Sequence, residues 1–162
     1  INMKDGYGGN ALEWAAQENR ISNAKMLIEG GCDVNNLNGD GMTALYTACA
    51  EGNADMARLL LDNNAEPDRT EDATPLIIAS CYGKIECVKL LLEHGTDVNT
   101  IDNEGRTALF YAMVYRQDEV KKLLSDNGAS YDICDKDGVS PTQLKDESVR
   151  ERVYSELMGE EK

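Results

Sequence analysis

The sequence predicts an all-α solenoid of stacked helix-turn-helix units with β-hairpin-like finger loops, and three observations carry that reading. An opening phrase recurs as NALEWA (10–15), TALYTA (43–48), TPLIIA (74–79) and TALFYA (107–112), with its leucines at Leu12, Leu45, Leu76 and Leu109, steps of 33, 31 and 33 residues. An exit phrase keeps the same steps as GGCDVN (30–35), NNAEPD (63–68), HGTDVN (94–99) and NGASYD (127–132). Between them lie apolar stripes long enough only for short helices. One pair of such helices cannot bury its apolar face alone, so stacked neighbours must complete the core.

Each element follows from local chemistry. Thr43, Thr74, Thr107 and Ser140 stand just before the first helix of a unit, where a hydroxyl caps free amides, and Pro75 and Pro141 fill favoured first-turn positions. The second helices carry Met26, Leu27 and Ile28; Leu59, Leu60 and Leu61; and Val88, Leu90, Leu91 and Leu92. Gly30, Gly31, Asn63, Asn64, Gly95 and Gly128 are expected to stop them in the left-handed conformation. Polar stretches such as NNLNGDG and NTIDNEG read as fingers. In the third unit Pro67 to Thr74 spans 7 positions where Val34 to Thr43 spans 9, which predicts a blunted tip in DRTEDA. SPTQLK (140–145) opens a fifth unit whose Thr142 and Lys145 replace the Leu and Ala that a following neighbour would cover, as a terminal cap requires. Val149, Val153 and Leu157 then share one helix face against the stack, leaving Arg150, Glu151, Arg152 and Glu156 toward water.

These phrases resemble the ankyrin repeat, with its period of about 33 residues, TPLHxA-type opening and GADVN-type exit. The resemblance covers essentially the whole chain. It implies one repeat domain over 1–162, with repeats at about 5–37, 38–68, 69–101 and 102–134 and a C-terminal cap at 135–158. Ile1 and Asn2 stand in register with Val34 and Asn35, so the chain is expected to be cut from a longer array. The resemblance also implies a protein-binding module whose concave groove is built from finger tips and the late residues of each inner helix. Carried over, the inner-helix positions are Gln17 and Glu18, Ala50 and Glu51, Cys81 and Tyr82, Val114 and Tyr115, then Asp146 and Glu147. Tyr7, Asp40, Met42, Asn103, Glu104, Arg106 and Lys136 flank them from the fingers. Tyr82 and Tyr115 are the expected anchors, because exposed aromatic residues give large contact area at low entropic cost. Replacing both with Ala is expected to weaken binding and leave thermal unfolding nearly unchanged. Asn35 and Asn99, in LxxxxxDVN spacing after Leu27 and Leu91, match the positions that intracellular asparaginyl hydroxylases modify in this family.

Composition removes other classes of function. A formal net charge of −14 argues against nucleic acid and anionic membrane as partners. No apolar run approaches the roughly 18 residues of a membrane span. Five cysteines without a CxxC pair argue against a disulfide framework or a zinc ribbon, so the expected compartment is intracellular: the cytoplasm, or the nucleus. With one histidine, His94, at a helix stop, no metal ligation is expected, and DGYGG (5–9) is followed by no GK[ST]. Catalysis and cofactors are not expected, and the chain should be monomeric on its own. Cys32, Cys49 and Cys87 read as small core residues. Cys81 and Cys134 read as exposed, with an acidic setting raising the pKa of Cys81. Trp14, Tyr46, Phe110 and Tyr111 fall in the opening phrase and are assigned to the core. Acids outnumber bases 13 to 4 over the five fingers, which favours a basic partner. Asp5, Asp33, Asp97, Asp102 and Asp135, however, occupy turn positions where a carboxylate serves its own backbone.

Overall fold

The structure is a computed structural model that describes residues 10–159. Its helices are α1 (Ala11–Gln17), α2 (Ile21–Glu29), α3 (Ala44–Glu51), α4 (Ala54–Asp62), α5 (Pro75–Cys81), α6 (Ile85–Glu93), α7 (Ala108–Val114), α8 (Asp118–Asp126) and α9 (Glu147–Leu157), with a 3-10 turn at Gln143–Lys145. They pair as α1 with α2, α3 with α4, α5 with α6 and α7 with α8. The first members pack in one row and the second members in another, while α9 closes the end against α7.

The opening phrase explains the inner row. Asn10, Thr43, Thr74 and Thr107 accept hydrogen bonds from the amides of Glu13, Tyr46, Ile77 and Phe110, three residues on, at 2.9 to 3.3 Å. Leu12, Leu45, Leu76 and Leu109 are buried between successive units, as are Leu60, Leu91 and Leu124 from the outer row. The outer helices have no side-chain N-cap, so packing of their apolar stripes holds them. They end at Gly31, Asn64, Gly95 and Gly128 with positive φ, whereas Gly30 and Asn63, also expected to be left-handed, have φ of −76° and −108°. One left-handed residue per exit reverses the chain.

Three fingers close in one way. Asn38, Asp102 and Asp135 donate their amides to the carbonyls of Met42, Arg106 and Val139, and each side-chain oxygen accepts the amides two and four residues on. A β-bridge joins Ile101 to Thr107, and the fingers between 32 and 139 are otherwise built of turns. The shortened finger at 65–73 forms no such closure among the described residues. It leans on its neighbours, Glu71 N–H donating to Gly41 C=O and Asp72 Oδ1 accepting from Asn103 N–H.

The exit Asn fastens one unit to the next. Asn35 donates to Asn64 C=O at 3.1 Å and accepts from Glu66 N–H at 2.8 Å; Asn99 donates to Gly128 C=O at 3.4 Å and accepts from Ser130 N–H at 2.8 Å. Asp68 holds the corresponding place at the middle seam and cannot donate. Partial burial, and then the Asp97 charge, push its carboxyl above the ordinary range. Asp68→Asn should therefore raise stability at neutral pH by about 0.5–1.5 kcal/mol, the net worth of one hydrogen bond, read as a higher urea midpoint. The folded chain holds the Asp68 proton more tightly than the unfolded chain does. The penalty of the charged form is thus full at neutral pH and relieved as pH falls through the raised pKa, so the advantage of Asp68→Asn should shrink in acid. An unchanged gap between the two proteins at about pH 4 would show that the charge is immaterial.

Several expectations need correction. The fifth opening is a 3-10 turn, not an α-helix: Ser140 N–H and Oγ–H both donate to Gln143 Oε1, and Leu144 is the residue it buries. Trp14 is 52% exposed and Tyr46 and Tyr111 are half-buried, while Phe110 is fully buried; the Trp14 place in the phrase is half-buried in later units too, at Thr47 and Ile78. Val153 is buried, with Val149 and Leu157 packed beside it, but Arg150 does not face water freely, since it lies 2.8 Å from Glu147 with its side chain 19% exposed. The readings placed on Ile1, Asn2, Asp5, Tyr7 and the 5–9 glycines lie outside the described residues.

Candidate functional site

The late residues of the inner helices and the fingers line one face of the stack. Gln17, Glu18, Glu51, Asp146 and Glu147 are exposed there, Ala50 and Cys81 are half-buried, and Tyr82 is 58% exposed. From the fingers, Asp40, Asn103, Glu104 and Lys136 are exposed and Met42 is half-buried.

Three of the expected contact residues are engaged elsewhere. Val114 is buried, because α9 packs over the end of α7. Arg106 turns inward: its side chain is 12% exposed, its Nε lies 3.4 Å from Asp135 Oδ2, and its guanidinium sits 5.6 Å over the Phe110 ring. Tyr115 is half-buried in a ladder, stacked on Tyr111 at 6.4 Å and edge-on to Tyr154 at 5.6 Å. Its removal would therefore cost stability as well as contact surface. Asn103 ties its finger to the previous one, donating through its amide to Asp72 and through its side chain to Glu71 C=O.

The aromatic residues form a band wider than the expected pair. Burial raises the Tyr46 phenol above its ordinary pKa, and Tyr82, Asp72 and Cys81 add to the shift; burial, Cys81, Tyr154 and Tyr82 act likewise on Tyr115. Tyr46 and Tyr115 are thus each within electrostatic reach of Tyr82 and Cys81, and the Tyr115 ring also meets Tyr154. Tyr111 backs the band, donating from its hydroxyl to Asp102 at 2.7 Å; burial and that carboxylate hold it well above the phenol range. Tyr154 carries no repeat signal, since it belongs to the cap helix beyond the last opening phrase. Its aromatic type beside Val153 was the one available cue.

Burial pushes the Cys81 thiol up to about 11, against a hydrogen bond with Tyr115, so burial rather than surrounding acids keeps it protonated and unreactive. Cys49 and Cys87 are buried thiol neighbours; their shared hydrogen bond and burial hold Cys49 far above its ordinary value. His94 Nδ1 meets Leu90 C=O at 2.9 Å at the end of α6. Asp33, Asp97, Asp102 and Asp135 each accept backbone amides, so their place in the turns is accounted for within the chain. A notch and a cleft open beside these residues. The notch, of about 50 Å³, lies between the second and third fingers, lined by Asp40, Met42, Tyr46 and Asp72. The cleft, of about 490 Å³, lies between the end of α7 and α9, lined by Tyr115, Arg116, Arg150 and Tyr154. Both Asn35 and Asn99 have their amides engaged in the seams. No group of three His, Cys, Asp or Glu able to hold a metal occurs among the described residues. Likewise, no described helix is long and apolar enough to cross a membrane.

A family model described as ankyrin repeats (3 copies) matches residues 1–71 and 66–137. Among curated relatives, Serine/threonine-protein kinase 12 of Arabidopsis thaliana is 39% identical over 90 residues, covering 54% of this chain and 20% of its own length. The Transient receptor potential cation channel subfamily A member 1 homolog of Caenorhabditis elegans is 30% identical over 107 residues, 65% of this chain and 9% of that protein. Inversin of Gallus gallus is 33% identical over 111 residues, 66% of this chain and 10% of its own. The chain thus spans a fifth or less of each of these relatives.

Proposed function

Because the chain belongs to the ankyrin-repeat family, we propose that it is a non-enzymatic module that presents its concave groove to another protein or peptide. The observation that carries this reading is the aromatic band on a clasped scaffold: Tyr82 is 58% exposed, with half-buried Tyr46 and Tyr115 beside it. The Asn35 and Asn99 clasps fix neighbouring units, so a partner meets a receptor that is already ordered and pays less entropy on binding. The carboxylates and amides that hold fingers and seams do so without a partner, and the aromatic band supplies the contact area.

Tyr82→Ala is the clean test, because Tyr82 ends α5 and buries little in the fold. Proteins retained from cell extract by the parent should be lost or held about 30-fold more weakly by this variant, as for an aromatic anchor, with the thermal midpoint nearly unchanged. Equal retention by both would move the binding surface off the groove. Tyr115→Ala is expected to lower affinity and stability together.

The share of each relative that this chain covers supports a second reading, in which the groove serves a larger chain and meets a segment of it. Two such relatives are described as a kinase and a channel. Binding of the isolated module to segments of its own full-length chain would separate the two readings.

A further inference from the structure

Resting on the groove reading above, we propose that the occupant is an arginine-bearing peptide segment, its guanidinium seated in the notch between the second and third fingers and its apolar side chains directed toward the cap. The notch is flanked by carboxylates that no cation of the described residues neutralises. Asp40 and Glu71 form no ion pair among the described residues, the Asp72 carboxylate has only the Asn103 amide, and Arg69 of the same finger is taken up by Glu66. Nearer the cap Arg106 pairs with Asp135, Lys136 with Glu104, and Arg116 and Arg150 with Glu147; Asp132, Asp137 and Asp146 form no ion pair there, but line neither the notch nor the cap cleft. A partner's cation is therefore steered to the notch. Lys84 stands in the α5–α6 loop beside Gly52, at the far end of the inner helices from the fingers.

The notch fits the tip of one side chain and no more. It measures about 50 Å³, with the half-buried Tyr46 ring next to the Asp72 and Asp40 carboxylates. A planar guanidinium can stack on a tyrosine face while donating in parallel to a carboxylate, a combination that an ammonium cannot reproduce. Its walls are fixed: Glu71 N–H donates to Gly41 C=O at 3.1 Å, and Gly41 has φ +73° with the Glu71 side chain where a Cβ would stand. Toward the cap the chemistry changes to the Tyr115 and Tyr154 rings around a cleft large enough for an aromatic or branched aliphatic side chain. The two ends of the occupant are thereby distinguished.

The probes are fluorescein-labelled synthetic peptides with two arginines and one tryptophan separated by Gly-Ser spacers of graded length, read by anisotropy at low and moderate salt. At the best spacing, replacing the arginines with glutamine should weaken binding at least about tenfold, and with lysine by a smaller factor. The Asp40→Asn/Asp72→Asn protein should lose a similar factor and show a flatter salt dependence, because the carboxamide oxygen introduced in place of the Asp72 carboxylate can still accept the Asn103 amide. Glu86→Gln/Lys89→Gln, which removes an exposed ion pair on the outer helix α6, should stay within about twofold. Unchanged binding by Asp40→Asn/Asp72→Asn together with loss in Tyr82→Ala would overturn the arginine assignment and leave the groove standing. Unchanged binding by both variants would overturn the groove as well, and no binding of any spacing to the parent would overturn the arginine assignment.

Discussion

Phe110→Ala is expected to lower the unfolding free energy by about 3–5 kcal/mol, the cost of emptying a fully buried aromatic site. It is also expected to split one transition into two. Phe110 is the largest fully buried side chain, and α7 stands between α5 and the cap. Its ring holds the edge of Tyr111 at 6.0 Å and the Arg106 guanidinium above it, so the cavity would loosen finger, inner helix and aromatic ladder at once. In a stack each unit touches only its neighbours, so the loss is local in origin and spreads through the α5–α7 and α6–α8 interfaces. Trp14 is the single tryptophan and lies on α1, at the other end. Its fluorescence reports the first unit while far-UV circular dichroism reports all of them. In the parent the two urea curves should coincide. In Phe110→Ala the dichroism should fall early while Trp14 keeps a midpoint near the parent's. Coincident curves, shifted together by the full amount, would mean that the array unfolds as one cooperative block.

What was legible in the sequence is what repeats. Leu12, Leu45, Leu76 and Leu109 could be assigned to the core because a fixed period brings each against the same partner in the next unit. The capping threonines and the turn aspartates were legible for a simpler reason, since their partners lie two to four residues away. Of the misassigned residues, Val114 and Arg106 depend on contacts outside the period. Trp14 takes a place in the phrase that stays only half-buried in the later units, at Thr47, Ile78 and Tyr111. Val114 aligns with the exposed inner-helix positions of earlier units, but α9 meets α7 where another repeat would not. Arg106 looked like a finger-tip charge because Asp135, its partner, is 29 residues on. Of the groove, the position of Tyr82 followed from register. The membership of Tyr154 did not, since a cap helix answers to no repeat, and the half-burial of Tyr115 is a consequence of it.

Asp135→Ala is expected to cost about 3 kcal/mol, the loss of a buried charge-assisted network with its partners left behind. The Asp135 side chain is 2% exposed and accepts from Asp137 N–H at 3.0 Å, Val139 N–H at 2.8 Å and Arg106 Nε–H at 3.4 Å. Removing it strands two amides at a turn and a guanidinium with little access to water. The chain contains its own control. Asn38 occupies the same turn position in an earlier finger, and its Oδ1 accepts the amides of Asp40 and Met42 at 2.9 and 3.0 Å without any charge. Closing a finger therefore needs the acceptor oxygen, not the carboxylate. Asp135→Asn should keep the turn and lose only the ion pair with Arg106, costing about 1 kcal/mol in a urea titration. The remainder of the alanine effect belongs to the two amides. Combining Asp135→Asn with Arg106→Met should then cost less than the two separate losses added together, because each removes the same pair. Strict additivity would show that the Arg106 guanidinium is held by the Phe110 ring and not by the carboxylate. Equal costs for Asp135→Ala and Asp135→Asn would place the whole effect on charge and contradict the geometry that Asn38 displays.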